Sequence, residues 1–229
     1  MNKPPDNNAD PRDEKRYYFH ETATRRTLEA ILTPLARMTM KIDSQGEEHL
    51  PNDGALVVAC NHLTNFDILP LQLSISRPLF FMAKEELHRN PVMDYFFRKG
   101  GAFPVYRGQR DQWAIRHAEK VLEHGRVLAL FPEGTRSKGR GLRPAKTGAA
   151  RFALHIECPI LPVAVEGTER IFADFPRRTQ VHVRIGETIT PKPGEGPLAL
   201  TDRLMYSIAA MLPKSLRGVY AEKPPAFRM

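Results

Sequence analysis

Three apolar stretches constrain this chain more than anything else in it: residues 55–60 (ALVVAC), 127–131 (VLALF) and 159–165 (PILPVAV). Each is of strand length, apolar at successive positions and closed by polar residues. Runs that are hydrophobic on both faces belong inside a sheet covered above and below. Segments of helical periodicity surround them. Residues 22–38 carry Leu28, Ile31, Leu32, Leu35 and Met38 on one stripe, and residues 111–124 carry Ile115, Ala118, Val121 and Leu122. Further helices are expected over residues 66–74, 91–98, 146–156 and 198–212, and further strands over residues 79–82, 103–106 and 181–185. This alternation predicts an α/β fold: a single domain whose central mixed, mostly parallel sheet is flanked by helices.

Around that domain, expected over residues 38–212, the chain is less regular. Residues 1–14 are polar and Pro-containing, and are expected to be disordered. Residues 15–37 form an N-terminal amphipathic helical segment that Pro34 should kink or divide. Ser44, Gln45 and Gly46 read as a hairpin-like turn between strands near residues 38–42 and Leu50. Residues 213–229 read as a Pro-containing tail.

The formal net charge is +8, which points to an anionic partner: nucleic acid, a membrane surface or a phosphorylated substrate. Nucleic-acid binding would require a Lys/Arg run interleaved with aromatics, or a zinc-ligand spacing, and the sequence offers neither. No nucleic acid and no metal are therefore expected. The apolar runs are far shorter than the ~18 residues that span a bilayer. The opening MNKPPDNNADPRDEKR is polar, so no secretory signal peptide is expected. Cys60 and Cys158 are isolated thiols in or beside strand-like runs. A cytoplasmic protein without a transmembrane segment is the expectation.

The chemistry-bearing residues follow predicted strands. The run 55–60 delivers Asn61 and His62 into a polar turn, and Asp67 follows five positions later. In one continuous helix these two would diverge by about 140°. A strand end turning into a helix brings them together, with Asn65 capping a helix that starts near Phe66. An imidazole beside a carboxylate is a base with its orienting partner. Taken alone, the pair is as well explained by a surface His near a helix cap. FPEGTRS, residues 131–137, is the second constellation. Pro132 fixes the strand exit and Gly134 permits close approach or positive φ. Thr135, Arg136 and Ser137, with backbone N–H groups, could cradle a phosphate. Glu133 could bind a hydroxyl or brace an Arg. Lys138, Arg140, Arg143 and Lys146 follow in a stretch that reads, by itself, as a solvated loop. GAFPVYR, residues 101–107, ends a further strand on Arg107. In parallel sheets, sites gather beyond strand carboxyl ends, where His62, Arg107 and Glu133 all fall.

NHLTNFD with its His-x4-Asp, GAFPVYR, FPEGTRS and ILPVAVEG (residues 160–167) occur in the order of the four blocks of glycerolipid acyltransferases. Over roughly residues 38–190 the chain resembles the 1-acylglycerol-3-phosphate O-acyltransferase family, also called lysophosphatidic acid acyltransferases. It departs from the family at Tyr106, where an acid often precedes the Arg. None of the N-terminal membrane segments that many relatives carry is expected here. The resemblance implies a glycerolipid acyltransferase-like fold. It also implies transfer of an acyl group from acyl-CoA or acyl-carrier protein to a lysophospholipid, foremost 1-acylglycerol-3-phosphate, with no other cofactor. It makes His62 and Asp67 the catalytic pair. It places Arg107, Glu133, Gly134, Thr135 and Arg136 on the substrate, with Lys84 and Lys146 as further contacts to phosphate or donor.

The residues read by themselves agree: an alcohol is a poor nucleophile at neutral pH and needs a base such as His62, which Asp67 would hold in the right tautomer. Cys60 reads as a structural thiol. Peripheral attachment to an anionic membrane is expected through the 22–38 helix and the patch at residues 95–99. Three other readings stay open: a different acceptor such as another lyso-lipid or glycerol-3-phosphate, a thioesterase that activates water, and a non-catalytic basic module that binds membrane or lipid.

Overall fold

The computed structural model describes residues 10–108, 110–173 and 176–222. In chain order the elements are α1 (Ala23–Thr39), β1 (Met40–Gln45), β2 (Leu56–Cys60), α2 (Ile68–Ser74), β3 (Leu79–Lys84), α3 (Pro91–Lys99), β4 (Ala102–Val105), α4 (Gln112–Glu123), β5 (Val127–Leu130), α5 (Gly148–Ile156), β6 (Ile160–Glu166), β7 (Thr179–Ile185) and α6 (Pro197–Met211). The strands form one sheet in the order β1-β7-β6-β2-β5-β3-β4. Every neighbouring pair is parallel except β6 with β7. Five adjacent strands, β6 to β4, therefore present their carboxyl ends along one edge.

β2 lies at the centre, and its five residues are all fully buried. Val57 and Ala59 join the core beneath α4, α5 and α6. Leu56, Val58 and Cys60 face the opposite side with Ala36 of α1 and Leu71 of α2. Burying each such Val or Leu contributes roughly 1.5–3 kcal/mol, which fixes this strand and hence the turn it feeds. The α/β architecture read from the sequence is the architecture found.

Several local expectations are corrected. No hairpin forms at residues 44–46. β1 is the sheet's edge strand and pairs in parallel with β7, so it needs no local partner. Gly46 has φ +85°, and a Cβ there would collide with the Ile185 carbonyl, so the chain turns tightly into a short 3-10 turn, Glu47–His49. Pro34 does not divide α1, which continues to Thr39 with Pro34 exposed. The α1 stripe is also inverted: Ile31, Leu35 and Met38 are more than half exposed, while Arg25 is buried. Arg25 donates to the Leu79 carbonyl, Gln72 and Glu29, tying α1 to α2 and β3.

The two ends depart from expectation as well. Residues 1–9 lie outside the described residues, but residues 10–14 are ordered in a 3-10 turn, Pro11–Glu14. The cause is Arg12, a buried guanidinium that pairs with Asp111 at 2.6 Å and with Asp10, and lies over the rings of Tyr106 and Trp113. At the other end, residues 213–222 of the Pro-containing tail are bonded to the domain. Leu142 N–H donates to the Leu216 carbonyl, and Ala145 N–H donates to the Tyr220 hydroxyl. Residues 223–229 lie outside the described residues.

Tyr17 and Phe19, which follow the Arg12 turn, close over α4 and pack with Trp113 and Phe103 around His117. Burial, reinforced by the charges of Lys120 and Arg12, pushes the His117 imidazole down to about 4. A depressed folded pKa means stability that is present above 6.5 and lost as pH falls through about 4. That shift is worth ~3 kcal/mol. Replacing His117 with Leu should flatten the stability-versus-pH curve between those limits in urea unfolding. An unchanged acid slope would contradict this.

No helix among the described residues is long and apolar enough to cross a membrane.

Candidate functional site

β2 hands the chain to Asn61, whose side-chain amide behaves as a further rung of the sheet. Its Nδ2 donates to the Val165 carbonyl at 2.8 Å, and its Oδ1 accepts from Val165 N–H at 2.7 Å. This amide clamps the end of β2 to β6 and fixes where residue 62 emerges. The chain then bends through Thr64, which caps a 3-10 turn, Asn65–Asp67, leading into α2. The cap is Thr64 and not Asn65: Thr64 accepts from Phe66 N–H, while Asp67 reaches back to Thr64 N–H. Asn65 is left free to face another loop.

That bend brings His62 and Asp67 together. His62 Nδ1 lies 2.8 Å from Asp67 Oδ2. The same oxygen accepts from Leu63 N–H at 2.7 Å and Thr64 N–H at 2.9 Å. The other carboxylate oxygen accepts a short hydrogen bond from the Thr168 hydroxyl. Asp67 is fully buried, and its position is over-determined by these donors. The His62 ring stacks on Phe131 with centroids 4.0 Å apart and an interplanar angle of 19°. With Nδ1–H held by the carboxylate, Nε2 keeps the lone pair, the state a proton acceptor needs.

The loop after β5 is bound to this turn at several points. Ser137 N–H donates to the His62 carbonyl at 2.7 Å, and Lys138 N–H to the Leu63 carbonyl at 3.1 Å. Arg136 Nη1 donates to Asn65 Oδ1 at 3.1 Å, so Arg136 stands beside the His-Asp turn with its guanidinium otherwise exposed. Gly134 has φ +66°, and the Lys146 side chain lies across it where a Cβ would be crowded. Thr135 is exposed on the same loop.

Glu133 takes a different place from the one expected of a substrate contact. It is buried, with Oε1 accepting from His62 N–H at 2.8 Å and Oε2 from Arg143 N–H at 2.9 Å. Each oxygen is engaged by a backbone N–H, so the side chain braces the two loops. Burial nonetheless pushes its carboxyl above the usual range.

Lys84 ends β3 and Arg107 follows β4, both exposed. They share the carboxyl edge with His62 but stand two and three strands from β2, about 10 and 14 Å across the sheet. Neither hydrogen bonds to the His62 cluster among the described residues. Cys60 is wholly buried, with its thiol pushed well up by burial, so it offers no nucleophile.

Thr168, Phe131 and Asn61 carry parts of this site that the sequence did not assign. Thr168 had a signal: it stands just past β6, next to β2 in the sheet, so its loop opens onto the same edge.

Comparisons with known proteins point one way. The acyltransferase family model matches residues 41–166. The 1-acyl-sn-glycerol-3-phosphate acyltransferase of Bacillus subtilis is 34% identical over 122 residues, covering 53% of this chain and 60% of that protein. Its namesake in Escherichia coli is 30% identical over 132 residues, 56% of this chain and 54% of that protein. The matched stretch thus spans little more than half of these relatives. Among solved structures, the 1-acyl-sn-glycerophosphate (LPA) acyltransferase PlsC from Thermotoga maritima superposes with a TM-score of 0.66 at 26% identity. That match covers 82% of this chain and 79% of that one.

Proposed function

This chain belongs to the acyltransferase family, and from that premise we propose that it esterifies the free hydroxyl of 1-acylglycerol-3-phosphate with a fatty acyl group from a thioester donor, yielding phosphatidic acid. The observation that carries the reading is the His62–Asp67 contact, with Nε2 left free on a strand-end turn hydrogen-bonded to a basic loop. His62 Nε2 takes the acceptor's hydroxyl proton as its oxygen bonds to the thioester carbonyl carbon. The tetrahedral intermediate collapses with cleavage of the C–S bond, and the imidazolium returns the proton to the departing thiolate. Asp67 holds the tautomer and stabilises the imidazolium. Arg136 stands nearest as the cation for the acceptor phosphate, with Lys146 beside Gly134. Arg107 and Lys84, farther along the edge, would meet more distal groups.

Orienting the hydroxyl is a large part of such catalysis, since positioning alone is worth up to roughly 7–11 kcal/mol. Incubation with labelled acyl-CoA or acyl-carrier protein and a panel of lyso-lipids and glycerol-3-phosphate tests the proposal. A two-tailed phosphatidic acid is expected. Free fatty acid as the sole product would make the protein a thioesterase and end this reading.

A lipid acceptor has to be met at a membrane, and the exposed apolar side chains suit that. α1 packs against α2 and α3 and turns Ile31, Leu35 and Met38 outward. Phe66 and Phe172, exposed and in edge contact, stand next to the His62 turn. Replacing Ile31, Leu35 and Met38 together with Ser should lower partitioning onto anionic vesicles on the order of 100-fold. Sedimentation with the vesicles reads this directly, and unchanged partitioning would place the docking face elsewhere.

A further inference from the structure

The basic stretch after FPEGTRS reads from sequence as a solvated loop, yet it is built into the fold. Leu142 is buried in the core, its N–H donates to the Leu216 carbonyl, and its own carbonyl accepts from Val219 N–H. Gly141 and Gly218 meet so closely that a Cβ on Gly141 would lie 2.8 Å from the Gly218 backbone. At the front end, Ser137 and Lys138 are held to residues 62 and 63 by their N–H groups. The Arg143 backbone is held by Glu133. Anchored along its length, the segment walls an open cleft of about 570 Å³ whose lining includes Arg136, Lys138, Arg140 and Arg143. No carboxylate lines it among the described residues. The neighbouring Glu169, which packs beside Gly139, is turned to the Gly167 N–H.

We propose that this cleft binds the nucleotide phosphates of a coenzyme A thioester, an assignment that rests on the acyl-transfer reading above. Four cations lining one concave space, without compensating acids, raise the local concentration of a compact polyanion. The volume is that of a small-molecule pocket, typically about 300–1,000 Å³. The acceptor carries a single phosphate, for which Arg136 on the Asn65 side is already placed. Lys138, Arg140 and Arg143 exceed that need, and they match the separate 3′-phosphate and diphosphate of coenzyme A. A carrier protein offers one phosphodiester on a convex surface, a poorer match to a concave site. Because the cleft adjoins the His62 turn through residues 136–138, a donor anchored there can extend its flexible pantetheine arm toward Nε2.

Equilibrium binding of free coenzyme A, which has no acyl group to transfer, tests the assignment apart from the reaction. Three full-length proteins are compared: the parent, a Lys138→Gln/Arg140→Gln/Arg143→Gln variant, and a charge-matched Arg116→Gln/Arg151→Gln/Lys192→Gln control. The cleft variant should bind coenzyme A on the order of 100-fold more weakly than parent or control, through loss of charge-assisted contacts. 3′-Dephospho-coenzyme A should bind the parent about tenfold more weakly than coenzyme A, and the two should be equal on the cleft variant. In turnover, KM for acyl-CoA should rise with KM for the acceptor unchanged. Equal coenzyme A affinity in parent and cleft variant would overturn the proposal. So would an equal loss in the control, a KM change confined to the acceptor, or turnover with acyl-carrier protein alone. If the triple variant fails to fold, Arg140→Gln alone should weaken coenzyme A binding about fivefold, and no change would count against the cleft. Failure of acyl transfer with coenzyme A binding still lost in the cleft variant would refute the proposed reaction and leave the binding site standing.

Discussion

His62→Ala should leave a folded protein that transfers acyl groups about 10³–10⁴-fold more slowly than the parent, a loss in kcat at saturating acceptor. General-base assistance is worth roughly 10²–10⁴-fold, and in the proposed reaction the same imidazole also reprotonates the leaving thiolate. The fold should tolerate the change because the ring is partly exposed and, among the described residues, its only hydrogen bond runs to Asp67. Asp67 is a different experiment. Its carboxylate satisfies two backbone N–H groups and the Thr168 hydroxyl besides the imidazole, so Asp67→Ala strands several buried donors. Each stranded donor costs about 1–3 kcal/mol, and the loss of activity would mix catalysis with unfolding. Asp67→Asn keeps the shape and removes the charge: its amide oxygen, facing Leu63 N–H and Thr64 N–H, still accepts from Nδ1–H, and what is lost is the carboxylate's stabilisation of the imidazolium. Its kcat should fall on a similar scale, and the His62→Ala/Asp67→Asn double variant should be no slower than His62→Ala alone. Single-turnover acyl transfer, with circular dichroism as the check on folding, measures all three. A His62→Ala protein within tenfold of the parent would remove His62 from the chemistry.

How much of this could be read beforehand follows from where the information lies along the chain. The alternation of short apolar runs with helical stripes is local, and it sufficed for the architecture because β2, β5 and β6 are buried on both faces. The His-x4-Asp contact was legible too, since a strand end turning into a helix is the geometry that closes that spacing. What stayed hidden depended on partners far along the chain. Arg25 reads as a surface cation on an amphipathic helix, and only the arrival of the Leu79 carbonyl and Gln72 explains its burial. Arg12 sits in a polar, Pro-containing stretch and is ordered by Asp111, 99 residues away. The hairpin at residues 44–46 was a local reading defeated by pairing of β1 with β7. Asn61 and Thr168 are each ordinary polar residues until sheet order puts β6 beside β2. Local patterns therefore yielded the elements and the His62–Asp67 contact, while the residues that position the two became visible only with the sheet order.

Glu133 shows the difference most sharply, and its substitution should have a large structural effect. Among cations in a loop, a carboxylate reads as a hand for the substrate's hydroxyl or a brace for an Arg. In the fold it is a strut, with one oxygen on His62 N–H and the other on Arg143 N–H. Glu133→Ala removes both acceptors and leaves two N–H groups without partners at about 1–3 kcal/mol each. With the small cavity added, a loss of about 3–5 kcal/mol is expected in urea unfolding. Glu133→Gln separates strut from hand. Its amide oxygen can serve one N–H, but its NH₂ confronts the other, so stability should fall by about 1–3 kcal/mol. His62 then loses its fixed exit from β2. A misplacement of that kind should lower kcat on the order of 10²-fold, with KM for the acceptor little changed. A substrate-binding Glu133 would give the opposite signature under Gln substitution, a raised acceptor KM with stability intact. The pair of measurements on one variant therefore decides whether Glu133 acts on the ligand or on the backbone that carries the base.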